Sequence, residues 1–129
     1  AVIPTFVSAA LRGDPITIEG DGKQTRDFTY IDDVVDANLA GFVKNPAAGR
    51  SFNIAFGKRI SILELAEKII EITGSKSRIT FREKRKGDIR HSLADVSYAG
   101  KYLDYQPKFD LEKGLTETIR WYQSVLIKA

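Results

Sequence analysis

Two arginine-bearing stretches carry the residue types best able to do chemistry. Arg26 and Asp27 interrupt Gln24–Ile31, a run of β-branched and aromatic residues that suits a strand. An arginine in such a strand either faces solvent at a sheet edge or holds an anion, and the residue types leave both readings open. The basic residues concentrate between Arg78 and Arg90. That segment reads either as a solvated loop or as the contact for an anionic partner, the direction in which the net charge of +3 also points.

Other chemistries are poorly supplied. The chain has no cysteine and one histidine, so a disulfide framework, thiolate chemistry and a protein-built zinc site are not expected. His91, alone, reads as a structural hydrogen-bonding residue. No Gly-x-Gly-x-x-Gly run follows a strand, so no dinucleotide fingerprint is present. Tyr98, Tyr102, Tyr105 and Tyr122 have no lysine four residues on. No catalytic residue and no metal ligand is assigned.

The elements that must position these residues alternate between helix and strand. Val2–Gly13 reads as a helix with Pro4 in its first turn and an apolar face of Ile3, Phe6, Val7, Ala10 and Leu11. Ile16–Glu19 alternates as a short strand and is expected to meet the Gln24–Ile31 strand across the Gly20-Asp21-Gly22 turn. Asp32 or Asp33 can cap a helix over Val34–Lys44, with Val35, Leu39, Phe42 and Val43 on one side, stopped by Asn45-Pro46 and Gly49. Ser51–Phe56 has apolar residues on both faces, as an interior strand does. Ser61 and Glu64 form a capping box for a helix that runs to about Thr73 and ends at Gly74, burying Ile62, Leu65, Ala66, Ile69 and Ile70. Arg78–Glu83 reads as a strand. Asp95 can cap a short helix through Leu103, and Asp110 a last helix from Leu111 to about Leu126, lined by Leu115, Ile119, Tyr122 and Leu126. The pattern predicts one α/β unit over residues 1–129.

The run from Gly20 to Val34, Gly-Asp-Gly-Lys-Gln-Thr-Arg-Asp-Phe-Thr-Tyr-Ile-Asp-Asp-Val, resembles the C-terminal half of extended short-chain dehydrogenase/reductases. Within that superfamily the chain is similar to the NAD-dependent sugar-nucleotide epimerases and dehydratases, UDP-glucose 4-epimerases first, along nearly its whole length. The resemblance implies a partial domain, residues 1–129, that binds substrate and lacks the N-terminal Rossmann part with its glycine fingerprint and Tyr-x-x-x-Lys pair. It implies NAD for the parent enzyme, none bound by this chain alone, and no catalysis by this chain alone. It also assigns residues. Arg26 matches the family arginine that contacts the diphosphate. Arg85 matches the arginine of Arg-x-Gly-Asp, which also holds phosphate, and Asp88 the aspartate that accepts ribose hydroxyls. Thr17, Ile18 and Glu19 align with the strand whose backbone meets the base. Asn53 matches the asparagine of Phe/Tyr-Asn-Ile/Leu and reads as satisfying loop backbone groups.

Three positions depart from the pattern. Ala1 stands where many epimerases have asparagine. Asp104 stands where relatives place glycine, which suggests a left-handed residue or a shifted turn. Tyr98 and Gly100 replace commonly charged positions, and Gly100 should weaken its helix by about 1 kcal/mol relative to alanine.

The partners expected are a UDP- or dTDP-sugar and the missing Rossmann part. The chain begins with alanine and contains no methionine, so a fragment, or a chain whose start was removed, is expected. A piece of a two-part enzyme should expose apolar surface and self-associate. No membrane contact is expected, since no apolar run is long enough to span a bilayer, and a cytoplasmic location is expected. Nucleic acid is disfavoured because aromatic residues do not interleave with the basic ones. Alternatives are a 4,6-dehydratase or decarboxylase portion, a stand-alone module that captures nucleotides or another anion, and a truncated product without function.

Overall fold

The computed structural model describes residues 1–44 and 47–126. Its elements run in order α1 (Val2–Arg12), β1 (Ile16–Glu19), β2 (Thr25–Arg26), α2 (Ile31–Val43), β3 (Ile60–Ser61), α3 (Ile62–Thr73), β4 (Ile79–Arg82), α4 (Ser97–Leu103) and α5 (Leu111–Leu126). The chain is α/β, as the alternating pattern predicts.

The helix signals with local causes act where expected. Ser61 and Glu64 bond reciprocally at the start of α3, Glu64 N–H to Ser61 Oγ at 3.1 Å and Ser61 N–H to Glu64 Oε2 at 2.8 Å. Gly13 and Gly74 end α1 and α3 in the left-handed conformation, at φ 74° and 64°. Asp110 accepts the Lys113 N–H at 2.9 Å. Asp95, expected to cap α4, stands one residue before the N-cap Val96, which carries no side-chain cap, and accepts the Ser97 N–H at 2.9 Å. Asp104 is the only non-glycine residue with positive φ among the described residues, 53°, at the end of α4.

The strands pair differently from the expected hairpin. β1 runs parallel to β4, Ile16 opposite Ile79 and Glu19 opposite Arg82, while β2 is antiparallel to β3. The Gly20-Asp21-Gly22 turn does not fold β2 back on β1; carbonyls at its end and just beyond it serve α3 instead. Gly22 C=O accepts the Leu63 N–H and Gln24 C=O the Ile62 N–H, both at 3.0 Å. These are first-turn amides of α3 that no intrahelical carbonyl can reach. Gly22 sits at φ 74°, where a side chain is strained, and a Cβ there would lie 3.0 Å from Leu63 Cβ, so Leu63 would have to give way. The strand expected over Gln24–Ile31 shortens to Thr25–Arg26.

Two further expectations are corrected. Ser51–Phe56 forms no strand: it is irregular, with a bend at Ala55, and pairs with no strand among the described residues. Phe52 and Ile54 pack instead on Ala37, Ala99, Leu103 and Tyr105, and the Tyr105 hydroxyl donates to Ala55 C=O at 2.9 Å. Neither Asp32 nor Asp33 caps α2, which starts after Tyr30 without a side-chain cap. Asp33 is buried and accepts the N–H groups of Lys108 and Phe109 at 2.8 and 3.2 Å. Asn45-Pro46, expected to stop α2, lies outside the described residues, as does the Leu126 side chain expected on α5.

The main core gathers Phe6, Val7 and Ala10 of α1, Ile16 and Ile18 of β1, Leu65, Ala66 and Ile69 of α3, and Leu115 and Ile119 of α5. The second cluster lies under α2 and α4. Opposite it, α2 turns Ile31, Val35, Leu39, Phe42 and Val43 to solvent, with Phe42 94% exposed. Spacing puts these residues on one face, and none of the described residues covers that face. No helix among the described residues is long and apolar enough to cross a membrane.

Candidate functional site

β1 alternates with a period of two, so Ile16 and Ile18 point into the core while Thr17 and Glu19 point outward. The outward residues form the floor of a cavity of about 310 Å³. The start of α1 supplies one wall through Val2, Thr5 and Phe6. Gln24 and Arg26 of the β2 segment and Arg85 and Asp88 of the basic loop supply the other. Thr17 Oγ1 lies 3.1 Å from Thr80 Oγ1, and Glu19 pairs with Arg82 across the parallel strands.

The expected anion-binding residues meet here. Arg26 donates through Nη2 to Asp88 Oδ1 at 2.6 Å, with both side chains about three-quarters buried (25% and 22% exposed). Its Nη1 donates to Thr25 C=O at 2.8 Å and to Ile89 C=O at 2.7 Å. Arg85 also lines the cavity, and its guanidinium has no hydrogen-bond partner among the described residues. Arg26, Arg85 and Asp88 border a second cavity of about 300 Å³ with Lys86, Gly87 and Ile89, so they form a partition between two spaces.

Arg26 and Asp27, adjacent in sequence, serve different ends. Asp27 accepts Gly57 N–H at 3.0 Å and Ala94 N–H at 3.4 Å, tying three loop segments together. The basic loop is itself fastened to β2. Thr25 N–H donates to Arg90 C=O at 2.9 Å, Ser92 N–H to Thr25 C=O at 3.1 Å, and Thr25 Oγ1 lies 2.9 Å from His91 Nδ1. Arg90 grips Asp21 with both Nη atoms, at 2.7 and 3.0 Å, and with the Lys23 N–H holds that carboxyl well below its usual range.

Of the six residues expected to bind substrate, Thr17, Glu19, Arg26, Arg85 and Asp88 share the cavity and Ile18 does not. Ile18 is wholly buried. Ile16 and Gly20 turn their N–H groups to β4, so Ile18 does too, and only Thr17 and Glu19 offer main-chain groups on the other edge. On that edge Glu19 C=O already accepts Gln24 Nε2 at 2.6 Å. Asn53 lies away from the cavity, its Nδ2 donating to Asp95 C=O at 3.3 Å. Gln24, Arg82 and Thr5 are lining residues that the sequence reading missed. Gln24 was findable, since a period of two puts it on the same side as Arg26. Arg82 needed the β1–β4 register.

The profile of the NAD-dependent epimerase/dehydratase family matches residues 1–55, the stretch that holds β1, the glycine turn and Arg26. A UDP-N-acetyl-alpha-D-glucosaminuronate decarboxylase of Bacillus cytotoxicus is 36% identical over 96% of this chain and 40% of its own length. The UDP-glucose 4-epimerase of Thermotoga maritima, solved with UDP-glucose, superposes with a TM-score of 0.92 at 36% identity, over 98% of this chain and 40% of that one. The chain is similar to members of the NAD-dependent epimerase/dehydratase family along nearly its whole length. It spans about 40% of the length of those relatives and is a partial segment of the full fold. A third relative, the UDP-glucuronic acid 4-epimerase of Bacillus cereus solved with UDP-glucuronic acid and NAD, matches with a TM-score of 0.90 at 30% identity, over 97% of this chain and 40% of that one.

The glycine turn of this segment does not fit the pyrophosphate of NAD. A dinucleotide pyrophosphate needs a glycine turn that opens a helix N-terminus. Here Gly20-Asp21-Gly22 leads into β2, and Asp21 of that turn is occupied by Arg90.

Proposed function

We propose that this chain is the nucleotide-sugar-binding, C-terminal portion of an NAD-dependent sugar-nucleotide epimerase or dehydratase. The observation that carries the reading is the convergence of Arg26, Arg85, Asp88, Thr17 and Glu19 on one cavity from three separate segments. Two guanidiniums suit a diphosphate, because each offers paired N–H donors. Thr17 and the Glu19 N–H leave rigid main-chain groups for a base. The UDP-sugars named with two of the structural relatives support a nucleoside diphosphate as the ligand class. The role of this portion is to anchor the nucleotide. The groups that move the hydride and the proton belong to the remainder of the protein, so the chain alone is expected to be inactive.

The test is calorimetric titration of the chain with UDP. Arg26→Ala and Arg85→Ala should each weaken binding by about 1.5–3 kcal/mol, the value of a charge-assisted contact. UDP affinity unchanged in both variants would overturn the assignment.

A further inference from the structure

We propose that Asp88 is a charge filter that favours diphosphate diesters over ligands ending in a free phosphate. The inference rests on the nucleotide-sugar reading of the cavity and names which anions the site accepts.

The argument starts from the hydrogen bonds of Arg26. A guanidinium has five N–H donors. Nη1 uses two on Thr25 C=O and Ile89 C=O, and Nη2 uses one on Asp88. Two donors remain, the Nε–H and one Nη2–H. Arg26 is therefore held in place by its own loop contacts and presents only its remaining donors to a ligand. An oxygen bound there shares the guanidinium with Asp88, which places the two anions about 5 Å apart given ordinary hydrogen-bond lengths.

The charge lining the cavity limits what can occupy that position. Glu19 and Arg82 compensate each other, and Asp88 compensates Arg26. Arg85 and the N-terminal ammonium of Ala1 bring the uncompensated positive charge among the lining residues, enough for the two charges of a diester. Each phosphate of a diphosphate diester carries one negative charge, whereas a terminal phosphate monoester carries close to two. The additional charge of a monoester finds no further cation in the cavity wall and meets the Asp88 carboxylate. A carboxylate kept beside an anion-binding arginine thus acts against the wrong ligand rather than for the right one. Its pairing with Arg26 keeps that side chain in position meanwhile.

The experiment is titration of the wild-type chain and of Asp88→Asn with UDP-glucose, UDP and UTP, without divalent metal. Wild type should bind UDP-glucose at least as tightly as UTP. Asp88→Asn keeps an acceptor for Arg26 and removes the charge, so UTP should gain about tenfold more affinity than UDP-glucose, as expected for one charge at that separation in a partly screened site. UDP should fall between them. Asp88→Ser, a second neutral replacement, should behave alike and serves if Asp88→Asn lowers the melting temperature. A UTP to UDP-glucose ratio equal within twofold in wild type and variants overturns the inference and leaves the nucleotide reading intact. A wild type that prefers UTP tenfold also overturns it. Failure of all three nucleotides to bind wild type removes the nucleotide reading and the inference together.

Discussion

Replacing Asp33 by alanine tests how the second cluster is held. Asp33 is 2% exposed and accepts two main-chain N–H groups, from Lys108 at 2.8 Å and Phe109 at 3.2 Å. Alanine leaves both donors without an acceptor in a partly enclosed place. Each stranded group costs about 1–3 kcal/mol, so the variant should lose about 2–6 kcal/mol. That is a large part of the roughly 5–15 kcal/mol that stabilises an ordinary domain. The damage should spread, because the same two residues place Phe109 against Tyr30, with ring centroids 4.4 Å apart, at the entry to α2. Urea unfolding gives the magnitude, and amide exchange should show lost protection at residues 108 and 109. Asp36→Ala is the control. Asp36 forms an exposed ion pair with the Lys108 ammonium, and its loss should cost less than about 1 kcal/mol. A loss under 1 kcal/mol in Asp33→Ala, with both amides still protected, would refute the claim that Asp33 organises this segment.

Gly100→Ala should stabilise the chain by up to about 1 kcal/mol in thermal melts, since Gly100 lies within α4 and the nearest atom to an added Cβ is Tyr105 O at 3.7 Å. Gly22→Ala should destabilise it and weaken UDP binding, because the φ of 74° and the approach to Leu63 both resist a side chain that Arg26 follows closely in sequence. Bonds from the Ser61 hydroxyl and N–H lower the Glu64 pKa, so the capping box stabilises α3 fully above the unfolded-state value and loses that contribution as pH falls through the folded-state value. The stability gap between wild type and Ser61→Ala, about 1 kcal/mol at neutral pH, should therefore narrow on acidification. Sedimentation across concentrations should show self-association that Leu39→Ser with Phe42→Ser reduces, since both residues sit on the uncovered face of α2.

What could be read in advance divides by the range of the interaction. The capping box of α3 and the glycine ends of α1 and α3 have causes within four residues, and they stand where the spacing put them. Asp104 in a left-handed conformation was suggested by the resemblance, which places a glycine there, and not by local spacing. Strand partnership has no such local cause. β1 was free to choose β2, five residues on, but parallel β4 took the edge, while α3 took carbonyls at the end of the turn between and just beyond it. Ser51–Phe56 shows the same limit, since apolar residues on both faces satisfy a sheet interior and a loop packed under Tyr105 equally well. For the site, the residue types marked Arg26 and the basic segment Arg78–Arg90, the resemblance singled out Arg85 and Asp88, and the pairing of Arg26 with Asp88 depends on contacts 62 residues apart. Periodicity placed Leu39 and Phe42 on one face of α2 without saying whether anything lies over it.

The fastening of β2 to the basic loop joins residues more than sixty positions apart, through Arg26 to Asp88 and Ile89, Thr25 to His91, and Asp21 to Arg90. Between those ends run α2, α3 and β4, so the stitches close a large ring of chain, and closing a ring of that length is entropically unfavourable. A molecule that grips Arg26 and Arg85 together holds the ring shut. By mass action it stabilises the whole interval, including α2, which it never touches. Nucleotide should therefore shield α2 from proteases as well as the basic loop, and a cut between the two ends would loosen the grip on the anion from a distance.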